Sequence, residues 1–183
     1  MTCLVFLLEE PSAKDALEVW LPKLLPPHVE TRFIVFEGKQ DLERRMTQKL
    51  AHWLAPDSRF IVLRDQDNGD CRVIKQGLAQ RCADAGRPEA VVRIACRELE
   101  AFFLGDLDAV AKAFDRPALS RLARKANYRN PDRIAAPSKE LQRHIPGYQK
   151  RDGARRIAPL MDFDKNTSPS FRILCHAIVD AVA

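Results

Sequence analysis

Three groups of acidic residues follow directly after segments that the sequence predicts to be β-strands. They are Glu9-Glu10, Asp65-Gln66-Asp67 and Glu98-Leu99-Glu100. In an open parallel sheet, ligands bind at the carboxyl ends of the strands, so neighbouring strands would bring these carboxylates to one edge. Crowded carboxylates repel one another and raise one another's pKa unless a cation lies between them. The pattern therefore predicts a cation site at that edge.

The donor atoms favour a hard divalent ion. Carboxylate oxygens without His or Cys nearby select Mg²⁺, Mn²⁺ or Ca²⁺ over zinc. Asp65 and Asp67 are two positions apart, and residues i and i+2 of an extended strand end point the same way, so we expect the pair to share one ion. An ion held in this way polarises a phosphoryl oxygen and activates water.

Each acidic group also has a plainer interpretation. An Asp-x-Asp after a strand is common in loops, and Asp67-Asn68-Gly69-Asp70 is typical of a turn in which Asp caps the next helix. Glu9 and Glu10 would stabilise the N-terminus of the first helix through its dipole, and Glu98 and Glu100 would do the same for a later helix. We prefer the metal interpretation because three such groups occur at corresponding places, and perturbed acids gather at functional sites.

The elements that must position these acids alternate between strand and helix. Continuous apolar runs at residues 3–8 and 60–63 predict strands buried on both faces, which is typical of a parallel sheet, and residues 32–36 and 90–95 are predicted to form the second and fourth strands. Apolar residues at three- and four-residue steps predict the helices between them. The sequence therefore predicts an α/β fold with a mainly parallel four-stranded sheet flanked by helices.

Two details of these helices can be tested directly. Asp41 is expected to cap the second helix. The third helix, over about residues 72–85, is expected to turn four residues inward: Val73, Ile74, Gly77 and Leu78.

After residue 107 the sequence no longer alternates between strand and helix patterns. Its helical patterns are interrupted by five prolines, and it ends in an amphipathic helix with Ser168 as cap and Pro169 at the first position. Residues 1–115 are therefore predicted to form the α/β core, and residues 116–183 a basic helical extension packed on that core in a single globular unit. If its apolar face were uncovered, the final helix would offer a surface to a partner.

The positive charge is concentrated in the extension. The chain has 183 residues, with 30 Lys and Arg against 25 Asp and Glu, for a formal net charge of +5. Residues 116–156 contain twelve basic and three acidic residues, a local charge of +9, so the remainder carries −4. A nucleic-acid partner is one interpretation of such a segment, and a solvated surface is the other.

Several classes of protein are disfavoured. Five cysteines, an odd number without a CxxC pair, argue against a disulfide scaffold or a zinc knuckle and favour a reducing, cytoplasmic location. The apolar run at residues 3–8 is too short to cross a membrane and no basic stretch precedes it, so neither a span nor a signal peptide is predicted. Phe33 and Gln40 stand where a phosphate loop needs Gly and Ser or Thr, so any use of ATP would require another chain.

The arrangement of strands and acids resembles the Toprim domain, which occurs in topoisomerases, primases and the overcoming-lysogenization-defect (OLD) nucleases. A buried strand that ends in Glu, followed by Asp-x-Asp after a later strand, carries this looser resemblance. Nearly the whole chain resembles a small bacterial Toprim-like family of uncharacterised function, often encoded beside an ATPase in mobile or phage-defence loci. The segments that carry this closer resemblance are residues 8–12, 36–42, 63–67, 70–71, 93–101, 104–107, 146–150, 153–155 and 170–172.

The resemblance to Toprim proteins implies a ligand set. It identifies Glu9, Asp65 and Asp67 as catalytic and metal-binding residues. Glu98 and Glu100 resemble a further acidic motif of the OLD-type nucleases and would hold a second ion. The implied cofactor is Mg²⁺ or Mn²⁺. Toprim domains usually have Gly after the Glu, and the residue that follows here, Glu10, would either limit substrate entry or act as an added ligand.

The resulting prediction is a metal-dependent nuclease, a Toprim-type phosphodiester hydrolase that serves as effector partner of a separately encoded ATPase in a defence or mobile-element system. Glu9 would double as general base toward water. Basic side chains would contact the phosphates, with weak sequence specificity: Lys39, Lys150, Arg155, Arg156 and Arg172.

Other functions remain as alternatives. A non-catalytic regulatory or interaction subunit of an ATPase complex would hold a structural ion, or none, at the same place. A hydrolase of small phosphate esters is disfavoured because such folds place Asp after the first strand, where Glu9 stands. A topoisomerase is disfavoured because Tyr128 and Tyr148 lie outside the alternating core. Candidate partners are therefore DNA or RNA, an ATPase subunit and a second copy of the chain.

Overall fold

A four-stranded sheet forms the centre of the protein. The computed structural model describes residues 2–183. All four strands are parallel, in the order β2-β1-β3-β4, which confirms the predicted α/β class and is consistent with a Toprim-like fold. The strands are β1 (Cys3–Leu8), β2 (Glu30–Val35), β3 (Ser58–Asp65) and β4 (Val91–Ala95).

Helices cover both faces of the sheet, as the apolar runs of the strands require. In addition, 3₁₀ helices occupy residues Pro117–Arg124, Ala126–Tyr128, Pro131–Arg133 and Ala158–Leu160. The α-helices of the described chain are α1 (Pro11–Leu24), α2 (Lys39–Ala51), α3 (Cys71–Asp84), α4 (Glu100–Leu104), α5 (Leu107–Ala113), α6 (Pro137–His144), α7 (Lys150–Ile157) and α8 (Pro169–Asp180).

The alternation of side chains along β1 divides the core into two clusters. Phe6 points to one face, where it belongs to a large cluster with Trp20 of α1 and Phe171 of α8. Val5 points to the other face, where it belongs to a smaller cluster with Leu42 of α2. Successive residues of a strand project to opposite faces, so the parity of a residue decides which helical layer it meets.

The C-terminal helices contribute to the larger cluster. Ile157, Phe171, Leu174 and Ile178 are fully buried in the same cluster as the first strand. Most of the apolar face of α8 is therefore covered by the core, whereas Val179 is 42% exposed.

Two local predictions need correction. Asp41 does not cap α2, because Gly38 is the N-cap residue and Asp41 lies in the first turn of the helix. Its carboxylate instead accepts the backbone N–H of Glu37 at 3.3 Å and pairs with Arg44 and Arg45. The second strand also begins and ends earlier than residues 32–36, at Glu30 and Val35.

The third helix buries a narrower stripe than its sequence pattern predicts. Leu78 and Cys82 are buried and Ile74 is half-buried, whereas Val73 is 67% exposed and Gly77 is exposed. The helix packs against α2 and the neighbouring strand β4. Residues spaced by four along one stripe meet this surface, and Val73 and Gly77 lie beside the stripe.

None of the helices between residues 2 and 183 combines the length and apolarity that crossing a bilayer requires.

Candidate metal centre

The three predicted acidic groups reach the same edge of the sheet. Strands β1, β3 and β4 are neighbours, as the site prediction required. Asp65 is the last residue of β3, Glu9 and Glu10 follow β1 directly, and Glu100 is the first residue of α4, which follows β4. The carboxyl ends of these strands therefore bring together acids that are up to 91 positions apart in sequence.

Three carboxylates meet at this edge and form what we call the acidic cluster, consisting of Glu10, Asp65 and Glu100. One oxygen of each lies within 4.8 Å of the others. Each residue comes from a different segment of the chain, so the cluster is a product of the tertiary fold. Three oxygen donors at this separation could hold a metal ion.

The strand register explains why Glu10 joins Asp65. Leu8 of β1 pairs with Leu63 of β3, and Glu10 follows Leu8 by two residues, just as Asp65 follows Leu63. Although β1 ends at Leu8, the backbone of Glu10 is still extended, so the alternation of side chains continues to Glu10. Register partners in a parallel pair project to the same face, here the face covered by α1 and α8. Glu9 has the opposite parity, which it shares with Leu7 and the layer of α2.

Burial disfavours the ionised form of the carboxylates in the acidic cluster. Glu100 is fully buried, and its Oε2 atom has no hydrogen-bond partner among the described residues. Burial raises the pKa of Glu100 to about 7. Burial, reinforced by the charge of Glu10, also raises the pKa of Asp65 well above its usual value. Carboxylates in this state gain from a nearby cation.

Lys150 supplies a positive charge to the cluster. Its Nζ atom lies 3.3 Å from Glu10, 3.6 Å from Glu100 and 3.8 Å from Asp65. Burial alone would lower the pKa of Lys150, but the three carboxylates outweigh that effect and hold its pKa above the usual value. One ammonium balances one of three carboxylates, so the fully ionised cluster keeps a charge of about −2, which matches one divalent ion.

Packing and ion pairs fix the helix that carries Lys150. Asp15 of α1 accepts hydrogen bonds from Arg151 at 2.7 and 3.0 Å and pairs with Arg155 at 3.4 Å. On the next turn, Gly153 leaves room for the ring of Tyr148, which a Cβ atom would meet at far less than contact distance. The hydroxyl of Tyr148 donates to Glu100 Oε1 at 3.4 Å.

Glu9 lies beside the acidic cluster and supports it through the backbone. Its Oε2 atom accepts the N–H of Asp65 at 3.0 Å and lies 3.9 Å from Arg64. Arg64 in turn pairs with Glu43 of α2 at 2.6 Å. Burial raises the pKa of Glu9, and the hydrogen bond from Asp65 offsets part of that rise. The structure therefore groups Glu10, and not Glu9, with Asp65.

Asp67 does not share the orientation of Asp65 that the two-residue spacing predicts. Strand β3 ends at Asp65, and Asp67 adopts a left-handed backbone conformation with φ of 53°. The alternation of an extended strand therefore stops before Asp67. Its carboxylate pairs with Lys39 at 2.7 Å, and this contact raises the pKa of Lys39.

Two other acids at this edge accept backbone N–H groups at helix N-termini, and only the role of Asp70 agrees with the plainer interpretation, because Glu98 binds α6 and not the helix that follows it. Glu98 accepts the backbone N–H of Ser138 at 2.6 Å, in the first turn of α6. Asp70 is the N-cap residue of α3 and accepts two backbone N–H groups, from Arg72 and Val73. These hydrogen bonds lower the pKa of Asp70.

The predicted phosphate contacts separate into two sets. Lys39 and Lys150 lie at the acidic edge, by which we mean the edge of the sheet that carries the three acidic groups. The other three are engaged by the protein: Arg155 with Asp15, Arg156 with the ring of Phe114 at 4.2 Å and the carbonyl of Ala113, and Arg172 with the carbonyl of Asn166.

Comparison with known proteins gives one match. The model of a family described as a domain of unknown function (DUF4276) matches residues 8–178, which include every residue of the acidic cluster and Lys150. No curated protein and no solved structure shows significant similarity to the chain.

Proposed function

We propose that this chain, which belongs to the family described as a domain of unknown function (DUF4276), is a metal-dependent hydrolase of phosphodiester bonds in nucleic acid. One observation carries the proposal. Three carboxylates from distant segments converge within 4.8 Å at the carboxyl edge of a parallel sheet, and the most buried of them, Glu100, has an oxygen without a hydrogen-bond partner. Sites for ligands in such sheets lie at this edge.

The donor set favours Mg²⁺ or Mn²⁺ as the cofactor. All three donors of the acidic cluster are carboxylate oxygens, and hard oxygen ligands suit these ions. The unpartnered oxygen of Glu100 and the residual negative charge of the cluster are the features that fit an ion. When bound, such an ion would polarise a phosphoryl oxygen and lower the pKa of water.

The residues of the chain would divide the remaining tasks. Glu10, Asp65 and Glu100 would hold the ion, and Glu9 would fix the end of β3 through the N–H of Asp65. Lys150, whose side chain is 37% exposed, would contact a phosphate oxygen of the substrate. The basic segment at residues 116–156 would attract the polyanion.

The test is a cleavage assay with the Asp65→Asn variant. Purified protein is incubated with plasmid DNA or total RNA in Mg²⁺ or Mn²⁺, and parallel reactions receive a chelator. We expect cleavage that the chelator stops and that the variant lacks, while circular dichroism shows a folded protein. The control is Asp164→Asn, which alters an exposed carboxylate outside the acidic cluster and should cleave like the wild type.

A second candidate function is a non-catalytic subunit of an ATPase complex, and the position of Lys150 favours it. A lysine that already balances the carboxylates would make the acidic cluster a structural ion network. For such a subunit, neither wild type nor Asp65→Asn would cleave any nucleic acid, with or without Mg²⁺. The partnership with an ATPase, in either role, stays a proposal.

A further inference from the structure

A second charged feature lies in the C-terminal extension and shares no residue with the acidic cluster. A cavity of about 640 Å³ opens between two 3₁₀ helices, Ala126–Tyr128 and Pro131–Arg133, and helix α6. Its volume falls in the range of small-molecule sites. Four basic residues and one acid line it, together with the ring of Tyr128. We call it the basic pocket; its charged members are Lys125, Arg129, Arg133, Arg143 and Glu140.

The single acid of the basic pocket is already engaged by the protein. Glu140 accepts a hydrogen bond from Arg143 at 2.8 Å and lies 3.2 Å from His144 Nε2. The hydroxyl of Tyr128 also donates to Glu140. Burial, reinforced by the Glu140 contact, raises the pKa of Tyr128 to about 12, so this hydroxyl remains a donor at neutral pH. The carboxylate of Glu140 is therefore already paired and does not neutralise Lys125, Arg129 or Arg133.

Three cations of the basic pocket lack an acidic partner. Lys125, Arg129 and Arg133 form no ion pair with any residue between 2 and 183, and all three are exposed. Their backbone is well anchored, because Tyr128 and Pro131 between them are buried. Asn130, in the same wall, has a buried side-chain oxygen without a hydrogen-bond partner. A concave site with fixed walls and unpaired cations is suited to an anion with several charges.

We propose that the basic pocket binds the phosphate groups of a nucleotide, either as part of a nucleic-acid strand or as a free nucleotide. Arginine presents a planar fork of donors that matches phosphate oxygens in pairs. The three cations without an acidic partner carry more positive charge than one carboxylate could neutralise. Successive phosphates of a strand, or the linked phosphates of a free nucleotide, carry several negative charges. The local charge of +9 over residues 116–156 would attract either ligand. This site is independent of the acidic cluster and requires no metal.

The experiment measures binding in the presence of a chelator, so that cleavage cannot take place. Fluorescence anisotropy follows labelled single-stranded DNA and RNA oligonucleotides, and calorimetry follows ATP. The variant Arg129→Ala/Arg133→Ala removes two exposed side chains that make no hydrogen bond in the described structure. The control, Lys75→Ala/Arg81→Ala, makes the same change of net charge on the exposed side of α3.

We expect the pocket variant to bind at least one of these ligands about fivefold or more weakly than the control variant does. For an oligonucleotide, the slope of log K against log salt concentration should fall by about one for each cation removed. Weakened binding of ATP alone would assign the pocket to free nucleotides, and weakened oligonucleotide binding would assign it to a strand. The proposal is overturned if the wild type binds none of these ligands, or if the two variants bind equally. Binding without cleavage in Mg²⁺ would leave this inference standing and refute the nuclease.

Discussion

Replacing Lys150 with Met should destabilise the protein when no divalent ion is present. The substitution keeps the length of the side chain and removes the ammonium that lies 3.3–3.8 Å from oxygens of the acidic cluster. Three carboxylates within 4.8 Å would then have no cation between them. Their mutual repulsion and the desolvation of Glu100 would no longer be offset.

The size of the effect follows from the exposure of Lys150. Removing one partner from a fully buried ion pair costs about 3–5 kcal/mol. The Lys150 side chain is 37% exposed, so solvent screens part of the interaction and we expect a loss of about 1–3 kcal/mol. In a protein of this length, 1 kcal/mol corresponds to about 2–4 °C in Tm. The Tm of Lys150→Met in chelator should therefore lie about 2–12 °C below that of the wild type.

Divalent ions should reverse this loss if the acidic cluster is a metal site. An ion at a hundred times its Kd stabilises the folded state by about 2.7 kcal/mol, which would close most or all of the gap. Thermal unfolding in chelator, Mg²⁺ and Mn²⁺ measures the effect, and calorimetry should show tighter ion binding to the variant because no ammonium competes. The control is Lys165→Met, which breaks an exposed pair with Asp162 and should change stability by less than about 1 kcal/mol.

Two results would refute this reasoning. If Lys150→Met unfolds in chelator at the temperature of the wild type, the ammonium does not stabilise the carboxylates. If Mg²⁺ and Mn²⁺ leave the Tm of the variant at its value in chelator, the acidic cluster is not a site for either ion.

Two further predictions concern Glu100 and the packing of Tyr148. The pKa of Glu100 is raised from 4.5 to about 7, so its contribution to stability is fully present below about pH 4.5 and is lost as the pH rises through 7. In chelator, the free energy of unfolding of the wild type should therefore fall between pH 5 and pH 8, and the Glu100→Gln variant should lack up to about 3 kcal/mol of that fall. Urea unfolding at several pH values measures this, and equal pH dependence of the wild type and the variant would contradict the prediction. Gly153→Ala should cost about 1–3 kcal/mol because its Cβ collides with the ring of Tyr148. Gly77→Ala, which meets no atom within 4 Å, should instead stabilise the exposed side of α3 by about 0.4–1 kcal/mol, and equal Tm shifts for the two variants would refute the packing argument.

The sheet was predictable because its strands carry their signal locally. Six consecutive apolar residues predict β1 at its observed bounds, and every one of them is buried. The cap and proline of α8 likewise mark its start, where Ser168 accepts the N–H of Phe171 at 3.2 Å. The exposure of Val73 was not predictable, because it depends on how much of α3 the rest of the protein covers.

The acidic edge was predictable from the strand ends, but the membership of the cluster was not. Choosing between Glu9 and Glu10 requires the register of β1 against β3, which places Leu8 beside Leu63. The sequence contains no local sign of that register. The expectation that Asp67 points the same way as Asp65 assumed a longer strand, whereas β3 ends at Asp65 and Asp67 has a positive φ.

The sequence led to a predicted phosphate contact for Lys150, and it gave no sign that Lys150 is the counter-ion of three carboxylates. Its position depends on helix α7, which Asp15 of α1 and the close contact of Gly153 with Tyr148 hold in place. These contacts join segments separated by as many as 136 positions. The sequence pattern of one helix contains no information about such distant partners.

The burial of Phe171 against Trp20 has a consequence for the newly made chain. The two rings lie 5.0 Å apart between centroids, although one belongs to the first helix and the other to the last. While the chain is still on the ribosome, Trp20 lacks this partner, and Glu10 and Asp65 lack their ammonium until Lys150 has emerged. The larger core cluster therefore cannot be completed until Phe171 has emerged from the ribosome, and apolar surface that is exposed in the meantime favours aggregation.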